Sequence, residues 1–390
     1  MIKRDIQKEL VKSSSEYPVT TIIGPRQSGK TTLVQMAFPD KKYFSLEDPD
    51  IRMAAEADPR AFLNQLENGA ILDEIQRLPI LLSYIQGFVD KKRRPGQFIL
   101  TGSHQPLLQE AISQSLAGRT AMLTLWPFSF SELRRYEMKL EAFDLIVKGF
   151  FPRLHENGLE SRRFYNAYVQ TYVERDLRSL VQLRDLSLFQ KFLLLLAGRV
   201  GRVVNFASLS NDLGVSGTTV KNWLNVLKAS YVVFELPPYF ENIRKRVVKS
   251  PKIYFTDPGL AAFLLGIHSE KQAARDPLRG GLYENLAVVE IIKGALNKGI
   301  RPDVYFYRDS NGREVDLIIR EDGRLTGVEI KSASTFSKEF LKGLEFFKNL
   351  GLSNTTPGVV LYNGDGDFVV NEARIANPLR LRNCWEDLIS

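Results

Sequence analysis

The chain has 390 residues and carries 53 Lys and Arg against 45 Asp and Glu, a formal net charge of +8. One cysteine and three histidines exclude a disulfide framework and any cysteine- or histidine-rich metal centre. No apolar run approaches the ~20 residues that a membrane helix needs, and Met1 to Asp5 lacks the apolar core of a signal peptide, so a cytoplasmic protein with no membrane contact is expected. The excess of positive charge suits a polyanionic partner.

The first element in chain order is the β-branched run Val19-Thr20-Thr21-Ile22-Ile23, a buried strand by its composition. It leads into Gly24-Pro25-Arg26-Gln27-Ser28-Gly29-Lys30-Thr31, followed by Thr32 and a stretch able to open a helix. Strand, glycine-rich turn and helix form the context of a phosphate-binding loop. Backbone amides and the helix N-terminus would face phosphates. Lys30 would reach the β- and γ-phosphates and Thr31 would hold Mg²⁺. ATP and Mg²⁺ are therefore the expected cofactors.

A second strand, Ala70-Ile71-Leu72, ends in Asp73-Glu74. Asp73 suits a role in holding Mg²⁺ and Glu74 that of polarising the attacking water. A third strand from Gln97 to Leu100 delivers Thr101 and Ser103, hydroxyls that could touch the γ-phosphate or the water. A helix is expected over Gln105 to Leu116, closed by Ala117-Gly118-Arg119 before the strand Thr120 to Leu125. Arg119 suits either a finger offered to a neighbour's nucleotide or a helix-end cation offsetting the dipole.

Together with Pro127-Phe128-Ser129-Phe130-Ser131-Glu132-Leu133, these motifs resemble prokaryotic AAA+-type ATPases with a C-terminal restriction-endonuclease-like domain. The resemblance implies an AAA+-like parallel-sheet core over 1–135 and assembly into a homo-oligomer. It also implies acidic roles for Asp73 and Glu74, a sensor role for Thr101 or Ser103 and a finger role for Arg119.

Helical recurrence over Ser161 to Val181 and Leu186 to Ala197 indicates a helical lid or linker over 136–200. Residues 201–270 read as a winged helix: a helix Phe206–Leu213, a turn at Gly214-Val215-Ser216, a helix Gly217–Ala229 and a strand from Tyr231 to Leu236. Thr218, Thr219, Lys221, Asn222 and Asn225 would face outward. Arg244, Lys245, Arg246, Lys249 and Lys252 follow as a basic run. DNA contact is favoured by this charge; docking of a protein partner is the alternative.

Residues 271–390 return to α/β character. A helix around Tyr283–Ile292 carries Glu284, strands 304–307 and 314–319 flank an Asn311-Gly312 turn, and Gly327 to Ser332 brings Glu329 and Lys331. Asp316 followed by Glu329-x-Lys331 resembles the PD-(D/E)xK nuclease arrangement. In that reading Glu284, Asp316 and Glu329 hold a divalent cation through hard oxygen ligands and Lys331 activates water, giving metal-dependent cleavage. Glu329 and Lys331 are equally readable as an ion pair. The function expected is an ATP-hydrolysing machine acting on DNA, and the alternative is a regulatory switch binding a partner protein.

Overall fold

A computed structural model of the chain describes residues 2–92, 94–103, 111–112, 114–136, 139–174, 185–240 and 249–389. Two compact units divide it: residues 1–128 with 229–231 and 296–300, and residues 129–228 with 232–295 and 301–390.

The first unit opens with α1 (Gln7–Glu16), β1 (Val19–Gly24), α2 (Lys30–Ala37) and β2 (Lys42–Ser45). It continues through α3 (Pro49–Ala57), α4 (Pro59–Asn64), β3 (Ala70–Asp73), α5 (Leu81–Lys92), β4 (Phe98–Ser103) and β5 (Thr120–Thr124). The five strands run in the order β2-β3-β4-β1-β5, and every neighbouring pair is parallel. Strand alternation divides the apolar residues between two faces. Ala70, Leu72, Phe98 and Leu100 pack with α4 and α5, whereas Ile71 and Ile99 pack with Leu10 of α1 and with Leu33 and Val34 of α2. Helices on both faces explain why β1, β3 and β4 are buried at every position. The helix expected from Gln105 to Leu116 falls largely outside the described residues.

In the second unit, α6 (Phe130–Leu133), α7 (Ala142–Lys148), α8 (Pro152–Glu156) and α9 (Ser161–Tyr168) lead to a π-helical turn, Val169–Glu174. The single α-helix expected from Ser161 to Val181 is thus interrupted. The Thr171 hydroxyl donates to the Ala167 carbonyl at 2.7 Å, competing with the helical ladder. Next come α10 (Leu186–Ala197), α11 (Phe206–Leu213), α12 (Gly217–Ala229), β6 (Val233–Leu236) and β7 (Lys252–Phe255). β6 and β7 pair antiparallel. Gly149, at φ +74°, must be glycine, because a Cβ there would lie 1.7 Å from the Tyr165 hydroxyl. That hydroxyl donates to buried Asp257, whose other oxygen accepts from the Phe150 amide at 2.8 Å.

The chain continues with α13 (Pro258–Leu264), α14 (Glu270–Arg275), α15 (Arg279–Leu296), β8 (Val304–Arg308), β9 (Glu314–Glu321) and β10 (Arg324–Lys331). It closes with α16 (Lys342–Lys348), β11 (Val359–Tyr362), β12 (Phe368–Val370), β13 (Ala373–Ala376) and α17 (Glu386–Ile389). Residues 338–341 form a 3-10 turn capped by Ser337 before α16 begins. The six-stranded sheet, ordered β12-β13-β11-β10-β9-β8, is mixed. β8, β9 and β10 form an antiparallel meander, and β11 joins β10 in parallel.

Candidate functional site

At the carboxyl end of β1 the chain turns through Gly24, whose Cβ, were there one, would lie 2.1 Å from the Leu125 carbonyl oxygen. Gly29 at φ 91° then starts α2, whose first amides have no side-chain cap. The Lys30 ammonium folds back over the turn, donating to the carbonyls of Gly24 at 3.0 Å and Pro25 at 2.8 Å. Burial lowers its pKa to about 8 even with Glu74 and Asp73 nearby.

β3 and β4 place the acidic and hydroxyl residues beside this turn. Thr31 Oγ1 donates to Asp73 at 3.0 Å, and Tyr43 of β2 donates to the same carboxylate at 2.7 Å. Thr101 Oγ1 also donates to Asp73 and accepts from the Glu74 amide at 3.2 Å. Glu74 itself sits in the left-handed region at φ 58°, a costly conformation for a residue with a Cβ. Its carboxylate is engaged by the Gln76 amide and by the Ser103 hydroxyl at 3.0 Å, and Gln76 also donates to Ser103 at 3.0 Å. Gly24 to Thr32, Asp73, Glu74, Thr101 and Ser103 therefore converge at one end of the sheet, where ligands of open parallel sheets are bound.

Arg119 is elsewhere. Its carbonyl accepts from the Val19 amide, at the end of β1 opposite Gly24. Its guanidinium grips Asp90 of α5 through two hydrogen bonds, at 2.6 and 2.9 Å. Within its own chain Arg119 is thus an ion-pair partner at the far end of the sheet.

Two contributors were not visible in the sequence. Arg4, 7% exposed, donates to the Ser28 carbonyl at 2.7 Å and the Trp126 carbonyl at 2.6 Å, bracing the glycine-rich turn. Tyr43 reaches Asp73 because β2 lies beside β3 in register Ser45 to Asp73. No local pattern marks either residue.

The donor set fits a nucleoside triphosphate with Mg²⁺. It offers uncapped helix amides, a buried ammonium held only by carbonyls among the described residues, and a hydroxyl and a carboxylate side by side. The Ser28 hydroxyl is also buried in the turn with no hydrogen-bond partner among the described residues.

The C-terminal residues singled out by sequence form a second cluster. Lys331 donates to Asp316 at 3.0 Å and to Glu329 at 2.5 Å. Glu284 of α15 instead accepts from Lys252 at 2.8 Å and Tyr254 at 2.5 Å, and Lys252 also pairs with Glu314 at 2.5 Å. Burial works against the charge on Lys252, yet Tyr254, Glu284, Asp316 and Glu314 hold its pKa well above the ordinary value. Burial raises Glu284 to about 7 and Glu329 to about 8. Among the described residues, no group of three or more His, Cys, Asp or Glu side chains is arranged to hold a metal ion. Glu284 thus faces Lys252, whereas Asp316 and Glu329 share Lys331. Lys252, part of the basic run in the sequence, is 1% exposed.

Of the expected DNA contacts, Thr218, Lys221, Asn222 and Asn225 are exposed on α12, while Thr219 is half-buried. The opposite face buries Val220, Trp223, Leu224 and Leu227. Lys249 is exposed, and Arg244, Lys245 and Arg246 lie outside the described residues.

Residues 16–134 match the family model of an AAA domain. Residues 140–271 and 279–381 match models described as domains of unknown function, DUF8612 and DUF4143. Residues 16–134 thus form a P-loop ATPase domain of the AAA type. It is 31% identical over 384 residues to the uncharacterized proteins Rv2008c of Mycobacterium tuberculosis and Mb2031c of Mycobacterium bovis, spanning 96% of this chain and 83% of theirs. It belongs to the family of these mycobacterial proteins. An uncharacterized protein of Haemophilus influenzae is 21% identical, over 85% of this chain and 86% of that protein. Among solved structures, the Walker-type ATPase PABY2304 of Pyrococcus abyssi matches with a TM-score of 0.44 and 16% identity, over 67% of this chain and 94% of that one. Among the described residues no helix is long and apolar enough to cross a membrane.

Proposed function

We propose that this ATPase hydrolyses ATP to act on DNA, binding or remodelling it as a cytoplasmic homo-oligomer. In this reading the amides around Gly24 to Thr32, with Lys30, hold the phosphates. Thr31, backed by Asp73, holds Mg²⁺, whose chemistry is to neutralise charge on the transferred phosphoryl group. Glu74 polarises the attacking water once its carboxylate leaves Gln76 and Ser103. Thr101 keeps Asp73 and the Glu74 backbone in register across β3 and β4.

The observation that carries the DNA reading is the two-faced character of α12. Its apolar side is buried, and its outward side offers Thr218, Lys221, Asn222 and Asn225, residue types that contact base edges and phosphates. The α11–α12 pair followed by the β6–β7 hairpin supports assigning a winged helix, with Lys249 near the hairpin and a net charge of +8 behind it. The order α15, β8, β9, β10, α16, β11 supports a restriction-endonuclease-like scaffold, used here for binding rather than cutting.

The test is the steady-state ATPase rate without DNA and with linear duplex, single strand or four-way junction, at low and moderate salt. Stimulation by one DNA form, falling steeply with salt, is expected. A flat response to all of them overturns the DNA reading and favours a switch in which α12 docks a partner protein.

A further inference from the structure

The carboxylate cluster of the second unit has an internal answer to its own charge. Glu284 comes from α15, Glu314 and Asp316 from β9 and Glu329 from β10. Each is met by a nitrogen donor of the protein. Lys252 bridges Glu284 at 2.8 Å and Glu314 at 2.5 Å, and Arg308 approaches the other oxygen of Glu314 at 3.4 Å. Lys331 bridges Asp316 at 3.0 Å and Glu329 at 2.5 Å, and the Ile330 amide donates to Asp316 at 2.8 Å.

The two lysines are not equivalent. Lys331 keeps 31% of its side chain exposed, whereas Lys252 keeps 1% and lies 5.5 Å from the centre of the Phe306 ring. A lysine buried to that degree is unusual unless its charge is matched in place. Lys252 also arrives from β7, which with β6, α11 and α12 forms a hairpin module outside the six-stranded sheet. Its own backbone pairs with Leu236 and Val203. Its side chain thus ties that module to α15 and β9.

We propose that this cluster is a metal-free latch: the Lys252 ammonium stands where a divalent cation would sit among Glu284, Glu314 and Asp316, and it fastens β7 to the terminal sheet. A divalent cation needs several oxygens at about 2.0–2.6 Å, and Glu284 Oε1, both Glu314 oxygens and Asp316 Oδ2 already accept from lysine, tyrosine, arginine or backbone donors. The latch makes the hairpin module and the terminal sheet one mechanical piece, and it leaves the cluster without hydrolytic chemistry. This inference is independent of the DNA reading, since a latch serves a protein-docking module equally well.

The experiment uses the full chain without nucleotide, in an Asp73→Asn background that weakens the other Mg²⁺ position, and Mn²⁺ as the probe. Binding is followed by calorimetry and by the loss of the free-ion paramagnetic signal, and stability by thermal unfolding. The background protein is expected to bind no Mn²⁺ and to melt at the same temperature in Mn²⁺ and in EDTA. Adding Lys252→Met removes the ammonium and leaves its carboxylates facing one another. That variant is expected to melt lower, to gain one Mn²⁺ per chain and to recover melting temperature when the ion is added. Stoichiometric Mn²⁺ binding by the background protein that disappears with Asp316→Asn overturns the proposal, and this arm holds even if Lys252→Met fails to fold. So does Mn²⁺-dependent DNA cutting by the wild-type chain that Lys331→Ala abolishes. A folded Lys252→Met protein that gains no Mn²⁺ also overturns it.

Discussion

At the residue scale, the nucleotide site separates binding from turnover. Lys30 offers the only lysine ammonium described against the Gly24 and Pro25 carbonyls, so Lys30→Ala should abolish ATP binding in a direct titration. Glu74 touches Gln76 and Ser103 rather than the turn. Glu74→Gln should therefore keep ATP bound while single-turnover hydrolysis falls by roughly 10²- to 10⁴-fold; normal turnover would move the base to another residue. Arg119 poses a sharper question because it lies at the opposite end of β1 and is gripped by Asp90. If it serves a neighbour's nucleotide, Arg119→Ala chains should bind ATP and be inactive alone. Mixing them with Lys30→Ala chains should restore hydrolysis, because intact halves then meet at one interface. No recovery on mixing would leave Arg119 as the ion-pair partner of Asp90.

At the element scale, the polar residues buried in the second unit make its stability depend on pH. Glu290 of α15 is 4% exposed and accepts the Phe130 amide of α6 at 2.7 Å. Burial raises its pKa to about 7, with Lys293 and that amide opposing the rise. A raised folded-state value means the folded protein holds this proton more tightly than the unfolded chain. The resulting stabilisation is full below the unfolded pKa near 4.5 and is lost as pH climbs through about 7. Denaturant unfolding between pH 5 and pH 8 should show this decline, up to about 3 kcal/mol. Glu290→Gln should flatten it; an unchanged slope would assign the decline to other groups.

At the scale of the whole molecule, ATP turnover and DNA contact should be separable. The exposed face of α12 lies on the far side of that helix from Trp223 and Leu224, so Lys221→Glu should leave the fold and the basal ATPase rate intact. It should weaken DNA binding and reduce the slope of log affinity against log salt by about 1. An unchanged slope would remove Lys221 from the DNA-contacting surface.

Much of this protein was legible in its sequence because the determining interactions are local. The phosphate-binding turn is one contiguous run flanked by its own strand and helix. α10, α11 and α12 begin and end where caps, glycines and apolar spacing place them. Asp73, Glu74, Thr101 and Ser103 lie together because parallel strands deliver their carboxyl ends to one edge. Only the tertiary structure decided what each charge faces. Lys249 and Lys252 read alike in the sequence, yet one is exposed and the other meets Glu284 and Glu314, 32 and 62 residues away. Arg4 braces a carbonyl 24 residues downstream and another 122 residues downstream, and Tyr43 reaches Asp73 across a strand pair. Periodicity reports which side of an element is apolar. Which opposite charge a buried ion finds depends on chain segments brought together by the whole fold, and that information is not local.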